Sequence, residues 1–158
     1  MSYPEILIGQ LLIKKGKNIA VAESCTGGLL ANLFTNIPGS SQYFLLGIVA
    51  YSNQAKISLL KIPALLIKRY GAVSGEVTQL MAQNVRRTAQ ASFGIGITGI
   101  AGPLGGTPAK PVGTIFISVA TRDKVVTNEF HFLGNRLVVK RKAALKAISI
   151  LKRLLRKI

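Results

Sequence analysis

A nearly continuous apolar run from Phe44 to Ser52 is the feature of this sequence that most limits its fold. The run has the length of a β-strand, and apolar residues without polar alternation are typical of a strand covered on both faces. Strands of this kind occur in sheets that have helices packed on both sides. The run therefore predicts a buried strand in a layered α/β fold.

Helical and strand-like segments alternate along the rest of the chain. Apolar periodicity and turn residues predict helices over residues 4–16, 29–36, 53–60, 63–70 and 75–91 and from Asn135 onward, with Ser74 as an N-cap. Further strands are predicted over residues 18–22, 93–97, 112–120 and 124–133. This alternation predicts one α/β domain, residues 1–158, whose mixed β-sheet is flanked by helices.

The predicted terminal helix is strongly basic. Between Arg136 and Lys157 it carries many lysines and arginines and no acid. An apolar stripe is predicted on one face, formed by Leu137, Leu145, Ile148, Leu151 and Leu155. We expect a helix that covers the core with this stripe and exposes its bases to solvent. Contact of the basic face with nucleic acid or a membrane surface is the alternative.

Composition narrows the cellular setting and the class of partner. The single cysteine, Cys25, cannot form an internal disulfide, which fits a reducing cytosol. No apolar run reaches the ~20 residues of a membrane-spanning helix, and the first residues lack the features of a signal peptide. We therefore expect a cytoplasmic protein without membrane contact. The formal charge of +16 favours anionic partners such as phosphate esters or nucleic acid.

Metal ligands are scarce in this sequence. One histidine, one cysteine and five carboxylates are present, and no two of them have the spacing of metal ligands. The carboxylates are Glu5, Glu23, Glu76, Asp123 and Glu129. We expect neither a metal site nor a cofactor.

Two glycine-rich turns follow predicted strands, at residues 23–28 and 98–107. Such turns can direct backbone N–H groups at an anion. Neither turn has a known phosphate-binding pattern, so a structural role is the simpler interpretation of each alone. Together with the basic composition they favour a phosphorylated small molecule as ligand.

Few side chains could act as a nucleophile and its base. His131, the only histidine, lies within a predicted strand, where a packing or surface role is the better interpretation. Cys25 lies near a helix start, which can stabilise a thiolate, but its apolar neighbours favour a buried and inert thiol. A serine with a lysine base remains. Lys56 is the candidate base because the stretch before it is uncharged, and burial would lower its pKa.

Six ordered blocks of sequence resemble the CinA C-terminal family, and the resemblance covers essentially the whole chain. The blocks are AESCTGG at 22–28, PGSS at 38–41, VAYSNQAK at 49–56, GAVS at 71–74, TGIAGP at 98–103 and KPVGT at 110–114. The resemblance implies a nicotinamide-nucleotide amidase, which hydrolyses the carboxamide of nicotinamide mononucleotide to nicotinate mononucleotide and ammonia without a metal. Such an enzyme recycles pyridine nucleotides in NAD metabolism. A homodimer is also implied.

The resemblance assigns roles to individual residues. It implies that Ser41 is the nucleophile, Lys56 the general base and Tyr51 the residue that orients or shuttles the proton. The substrate-binding positions that it implies are Ser24, Thr26, Gly27, Gly39, Thr98, Gly99 and Arg136. Backbone N–H groups from Gly39 to Ser41 would stabilise the oxyanion, and Arg136 would lie near the anionic end of the substrate.

Two other functions remain open on the sequence. A noncatalytic, basic, nucleic-acid-associated or regulatory protein would use the terminal helix, although it would have no need for Ser41, Tyr51 and Lys56. Hydrolysis of a different amide or nucleotide is also compatible with the same residues.

Overall fold

A computed structural model describes residues 4–158, with side chains from Ile6 onward. Five strands form one mixed sheet in the order β2-β1-β3-β4-β5. The strands are β1 (Ile19–Glu23), β2 (Phe44–Val49), β3 (Phe93–Gly99), β4 (Thr114–Ala120) and β5 (Val125–His131). β1 runs parallel to β2 and β3, whereas β4 and β5 are antiparallel to their neighbours.

Six helices flank the sheet, which confirms the predicted α/β class and mixed sheet. They are α1 (Pro4–Lys14), α2 (Leu29–Thr35), α3 (Asn53–Leu60), α4 (Ala64–Tyr70), α5 (Gly75–Ala89) and α6 (Arg136–Leu155). Ser74 caps α5 as predicted, since its hydroxyl oxygen accepts a hydrogen bond from the Val77 N–H at 3.3 Å. At most ends of the helices and strands, the predicted boundary differs from the observed one by a few residues.

The sheet separates two apolar layers. On one face α1, α2 and α6 pack against the sheet through residues such as Leu12, Phe34 and Ile148. On the other face α3, α4 and α5 contribute Leu60, Met81 and neighbouring residues. The strands β1, β3 and β4 are buried on both faces and form a rigid base, so the loops at their ends can hold side chains in defined positions.

The position of β2 differs from the sequence prediction. The run from Phe44 to Ser52 was expected to be buried on both faces, yet β2 is the first strand of the sheet and ends at Val49. Leu45 and Val49 are 45% and 47% exposed. The prediction was wrong because apolar composition alone does not distinguish a strand inside a sheet from an apolar strand at its edge.

The helix α6 follows the sequence prediction with one correction. Its side chains Ile148, Leu151 and Leu155 are buried against the sheet. Leu137 was expected on the same stripe, but it is 74% exposed. It lies in the first turn of α6, where Val139 is buried in its place.

Two glycines of β3 allow α5 to pack closely on the sheet. A Cβ atom at Gly96 would lie 2.6 Å from the carbonyl oxygen of Thr78 and 2.9 Å from the amide nitrogen of Ala82. Real Cβ atoms do not approach backbone atoms this closely, so a side chain at this position would push α5 away from β3. Gly94 meets the same helix at the Ala82 carbonyl.

We expect Gly96→Ala to lower the free energy of unfolding by roughly 1–3 kcal/mol, as overpacked core substitutions do. The shift in denaturant midpoint, measured with an unchanged m-value, is the readout. Gly75→Ala is the matched control, because a Cβ there has its nearest contact at 3.5 Å and the residue begins a helix. Equal stability of Gly96→Ala and wild type would contradict the close packing of α5.

Among the residues that the structure describes, no helix is both long enough and apolar enough to cross a membrane.

Candidate active site

The polar residues singled out by the sequence meet mainly at one end of the sheet. β1 lies between β2 and β3, and the chain leaves it first towards β2 and later returns on its other side as β3. In open α/β sheets, ligands bind beyond the carboxyl ends of the strands where the strand order reverses in this way. The segments that follow these three strands begin at Ser24, Ala50 and Ile100.

Lys56 and Ser24 form a buried pair at this end. Lys56 Nζ lies 3.0 Å from Ser24 Oγ and donates a second hydrogen bond to the Ala50 carbonyl at 2.9 Å. Lys56 is 2% exposed and Ser24 is 8% exposed. Side chains on a helix lean towards its N-terminus, and Lys56 near the start of α3 therefore leans back towards the end of β2.

Local structure holds both members of the pair in place. Ser52 caps α3, since its Oγ accepts a hydrogen bond from the Ala55 N–H at 3.0 Å. The Ser24 N–H donates to the Ile97 carbonyl of β3 at 2.9 Å, which continues the pairing of β1 with β3 by one residue. The hydroxyl and the amine are thus fixed by a helix cap and by the sheet.

Burial lowers the pKa of Lys56 below its ordinary value, because the charged ammonium loses hydration in the protein interior. A smaller opposing effect comes from the Cys25 side chain. When charged, Nζ donates to Ser24 Oγ. Once it is neutral, its lone pair can accept the Ser24 proton across the same 3.0 Å.

Cys25, next to Ser24, is a buried thiol. Burial raises its pKa to about 12, so the thiolate required of a cysteine nucleophile is disfavoured. The helix start predicted near it lies further along, since α2 begins at Leu29.

The turn after β1 is organised by the buried carboxylate of Glu23. Its Oε1 accepts hydrogen bonds from the Thr26 hydroxyl at 2.6 Å and from the Leu30 N–H at 2.8 Å. Its Oε2 accepts from the Ala31 N–H at 2.9 Å. Glu23 therefore caps α2 from the preceding strand, and Thr26, predicted to bind substrate, directs its hydroxyl at this carboxylate.

We expect Glu23→Gln to lower the free energy of unfolding by about 2–3 kcal/mol. The glutamine NH₂ would replace one carboxylate oxygen and face a backbone N–H, so two buried hydrogen-bond donors would meet without an acceptor. Thermal or denaturant unfolding measures the loss. Glu129→Gln makes the same chemical change at a carboxylate that is half exposed beside His131. That control should cost less than about 1 kcal/mol, and a similarly small loss for Glu23→Gln would argue against the capping role.

A cavity of about 230 Å³ is lined in part by Ser24. Four segments line it, and the lining residues are Ser24, Cys25, Tyr51, Gly99, Ile100, Ala101, Gly102, Leu104, Gly105 and Arg136. Packing against β4 also requires a glycine at position 99, since a Cβ there would lie 2.6 Å from the Thr114 carbonyl oxygen. The cavity thus joins the predicted residues Ser24, Tyr51, Gly99 and Arg136.

Arg136 and Tyr51 form the rim of this cavity. Asn135 caps α6 by accepting a hydrogen bond from the Val138 N–H at 3.1 Å, which places Arg136 in the first turn of the helix. The guanidinium donates to the Tyr51 hydroxyl and to the Gly102 carbonyl, both at 2.8 Å. Arg136 therefore links the segment after β2 to the loop after β3 and keeps a positive charge at the cavity mouth.

The end of β3 and the loop after it are hydrogen-bonded to the α4–α5 turn. The Thr98 hydroxyl, predicted to bind substrate, donates to the Ala72 carbonyl at 3.1 Å and is almost fully buried. Lys110 Nζ donates to the Tyr70 carbonyl at 3.0 Å and also to that of Val73. Thr98 and Lys110 thus support the wall of the cavity.

Ser41 and Gly39 lie elsewhere. They belong to the turn before β2, and β2 runs parallel to β1, so this turn is at the amino end of the strands. The six residues of β2 separate it from Ala50 and Lys56 by ~20 Å at about 3.3 Å per residue. Within one chain, the structure does not bring Ser41 to its predicted base, and Ser24 occupies that position.

Sequence reasoning missed two lysines. Lys140 Nζ lies 3.6 Å from the position that a Cβ atom would take at Gly27, so its charge is beside the turn that follows Ser24. The sequence could have indicated Lys140, because this lysine lies one helical turn after Arg136, a predicted substrate-binding residue. Lys110 was part of a recognised block, but its contacts with a turn some forty residues away could not be read from spacing.

The remaining ionisable candidates lie away from the cavity. His131 is at the surface on β5, where Nε2 lies 3.1 Å from Glu129 Oε1 and both side chains are about half exposed. Among residues 6–158, no three carboxylate, histidine or cysteine side chains come together as metal ligands.

Comparison with known proteins shows the family. The family model of the CinA C-terminal domain matches residues 4–155, and the chain belongs to this family. CinA-like proteins of Anaeromyxobacter sp. (strain K) and Desulfotalea psychrophila are each 45% identical to it, over 153 and 149 residues. These matches cover 97% and 94% of the chain but only 37% and 36% of the relatives, so the chain spans little more than a third of their length.

Solved structures of the same superfamily share the fold. A CinA superfamily protein from Klebsiella pneumoniae superposes with a TM-score of 0.94 at 29% identity and covers 99% of this chain and 100% of its own. One from Escherichia coli gives a TM-score of 0.92 at 32% identity, covering 96% and 88%. The sheet order and helix arrangement are therefore those of the superfamily.

Proposed function

We propose that this protein is an amidase that hydrolyses the carboxamide of nicotinamide mononucleotide to nicotinate mononucleotide and ammonia, as a step in pyridine nucleotide recycling. The observation that carries the proposal is the buried contact of 3.0 Å between Ser24 Oγ and Lys56 Nζ, in which Ser24 also lines the cavity. A serine beside a lysine of lowered pKa is a known arrangement for nucleophilic catalysis.

The proposed nucleophile is Ser24 rather than Ser41, since only Ser24 contacts Lys56 within one chain. Ser24 Oγ attacks the carboxamide carbon while the neutral Lys56 amine accepts its proton. Collapse of the tetrahedral intermediate releases ammonia, which takes that proton from the Lys56 ammonium. Water then attacks the acyl-enzyme, again with Lys56 as base, and nicotinate mononucleotide leaves as Ser24 regains its proton.

The charges around the cavity suit a phosphorylated substrate. Arg136 lies at the rim, and Lys140 stands beside the Gly27 turn. The nearest acid, Glu23, is engaged by three hydrogen-bond donors. An anionic phosphate at the mouth would therefore meet positive charge while the carboxamide reaches Ser24.

Ammonia release from nicotinamide mononucleotide by the purified protein tests the proposal. We expect one nicotinate mononucleotide for each ammonia, with no requirement for added metal. Nicotinamide riboside, which lacks the phosphate, should react at least about tenfold less efficiently because it loses charge-assisted hydrogen bonds. The absence of turnover with nicotinamide mononucleotide would overturn the proposed substrate.

A noncatalytic role with nucleic acid is the competing function, and one observation favours it. A cavity of about 580 Å³ at the opposite end of the sheet is lined in part by Lys17, Arg86, Arg122 and Lys124. Binding of a DNA duplex that persists at physiological salt, with a log–log salt slope near −0.9 for each phosphate contact, would support it. Binding lost at that salt would reduce it to bulk charge attraction. The buried Ser24–Lys56 pair favours the amidase.

A further inference from the structure

The larger cavity, of about 580 Å³, lies at the end of the sheet opposite Ser24. β1 and β3 are parallel, and residues at their amino ends line it: Lys17 stands two residues before β1, and Phe93 is the first residue of β3. Small-molecule sites are concave and have volumes of about 300–1,000 Å³. The cavity therefore has the size of a ligand site, and neither Ser24 nor Lys56 belongs to it.

Cationic side chains from three separate segments converge on this cavity. They are Lys17 from the α1–β1 loop, Arg86 from the last turn of α5, and Arg122 and Lys124 from the β4–β5 turn. Asp123 is the acid among the lining residues. The lining side chains thus carry four positive charges and one negative charge, an excess of three positive charges.

These cations are not neutralised by carboxylates in the described part of the chain. The ion pair found among residues 6–158 joins His131 to Glu129 on β5, and Asp123 forms none with the bases around it. Like charges held close together repel each other and destabilise the compact state. A bound anion would relieve this repulsion, so the unpaired cluster favours an anionic ligand.

The fold holds Arg86 in a defined position. Its Cβ atom packs over β3 at Gly94, where an added Cβ would lie only 2.6 Å from it. The Arg86 Nη1 donates a hydrogen bond to the Ala91 carbonyl at 3.2 Å. Because a guanidinium has five N–H donors in a planar fork, Arg86 has further donors that can bind phosphate oxygens.

The β4–β5 turn is also held by hydrogen bonds. The Thr121 N–H donates to the Lys124 carbonyl at 2.8 Å, and the Lys124 N–H donates to the Thr121 hydroxyl at 3.2 Å. A second cavity of about 200 Å³ shares this turn and Arg86 with the larger one and adds Arg87. The two cavities therefore adjoin, and an elongated anion can contact cations in both.

The shape and charge of this region favour a small polyanion. Its cations face a concave space of limited volume, whereas the phosphates of duplex DNA lie on the outside of a long helix, with one charge per ~1.7 Å of its axis. A single phosphate group carries a charge of about −2 at most. That is less than the excess of positive charge in the lining. A chain of two or three phosphates carries more charge and is long enough to contact several of the bases.

We propose that this end of the sheet is a second ligand site, which binds a small molecule with a chain of two or three phosphates, such as a nucleoside triphosphate or free tripolyphosphate. Arg86, Arg122 and Lys124 bind the phosphate oxygens, and Lys17 adds a further positive charge. The site shares no residue with the cavity lined by Ser24. It therefore does not depend on the proposed amidase activity.

Binding of ATP and of tripolyphosphate, measured by titration calorimetry at about 0.15 M salt, is the first test. At this salt the Debye length is about 8 Å, so attraction to distant surface charges is screened. We expect one ligand per chain, and at least about tenfold weaker binding of AMP, which loses charge-assisted hydrogen bonds. Tighter binding of ATP than of tripolyphosphate would support a nucleotide ligand, and equal binding would support recognition of the phosphate chain alone. No binding of either, or AMP bound as tightly as ATP, overturns the site.

Arg122→Gln should weaken tripolyphosphate binding by about tenfold or more, because it removes charge-assisted hydrogen bonds. Its side chain is exposed, so thermal unfolding without ligand should change little. Arg136→Gln is the matched control, since it makes the same exchange at the cavity lined by Ser24 and should change binding by less than about twofold. A similar loss in both variants would indicate bulk charge attraction, and a loss in Arg136→Gln alone would place the ligand beside Ser24. Either result overturns the site.

Hydrogen exchange locates the ligand independently of these variants. Tripolyphosphate should slow exchange of the backbone amides in the β4–β5 turn and at residues 90–93, with no comparable effect at residues 99–105. Protection confined to residues 99–105 overturns the proposal. A DNA duplex that displaces tripolyphosphate, and whose own binding is weakened by Arg122→Gln, would assign this surface to nucleic acid and overturn the small-molecule ligand.

Discussion

Ser24→Ala should abolish ammonia release, with kcat reduced by at least about 10³-fold, because removal of a nucleophile leaves only the contributions of binding and electrostatic stabilisation. The substitution removes one oxygen atom that contacts Lys56 Nζ and leaves the backbone bond from Ser24 to Ile97 intact. The fold should therefore be retained. Substrate affinity, measured by calorimetry or ligand-induced stabilisation, should change little.

Ser41→Ala is the comparison that separates the two serines. It should leave kcat/KM close to the wild-type value, because within one chain Ser41 lies at the opposite end of β2 from Lys56 and acyl transfer by Ser24 stays in place. A Ser24→Ala protein that keeps its turnover while Ser41→Ala loses it would reverse the assignment. Trapping of a covalent acyl-enzyme and its location by mass spectrometry gives an independent measurement.

Lys56→Arg is expected to reduce kcat/KM by about 10³-fold, since a guanidinium stays charged and cannot accept the Ser24 proton. The pH dependence of wild-type activity should have the same origin, the protonation state of Lys56. Below its pKa Lys56 is an ammonium and inactive as a base, so activity rises as the pH increases through that pKa. Burial places this rise below the ordinary lysine value of 10.5.

Lys61→Arg provides the control for the same exchange at an exposed residue just after α3, and it should retain both the activity and the pH profile. Thermal unfolding of both variants separates a chemical effect from a folding defect. A Lys56→Arg variant that retains the rising limb of the profile would show that another group is the base.

The fold was accessible from sequence because its elements are separated by strong local signals. Ser74 and Asn135 mark helix starts through side chains that accept backbone hydrogen bonds. The order of the strands in the sheet could not be predicted from the sequence, and β2 shows why. Its apolar residues fit a central strand as well as an edge strand, and only the long-range pairing of β1 with both β2 and β3 decides between them.

The site was predictable in part for a similar reason. Lys56 was identified because its surroundings lack charge, and the structure places it in the interior. Ser24 and Ser41 are both serines in glycine-containing turns beside predicted strands, so their local patterns are alike. Their separation depends on the direction of β2 relative to β1, which is a property of the assembled sheet. The positions of Lys110 and Lys140 near the site also depend on how the helices and loops pack around the sheet.

The two cationic side chains that hold the loop after β3 also bear on the thermodynamics of ligand capture. Arg136 and Lys110 anchor its backbone to α6 and to the α4–α5 turn before any ligand arrives. Ordering a mobile segment on binding would cost conformational entropy, about 1–2 kcal/mol for each residue fixed. Here the conformational entropy of this loop is already lost during folding. Ligand association should therefore show a small heat-capacity change, and its on-rate should depend on diffusion and charge rather than on loop closure.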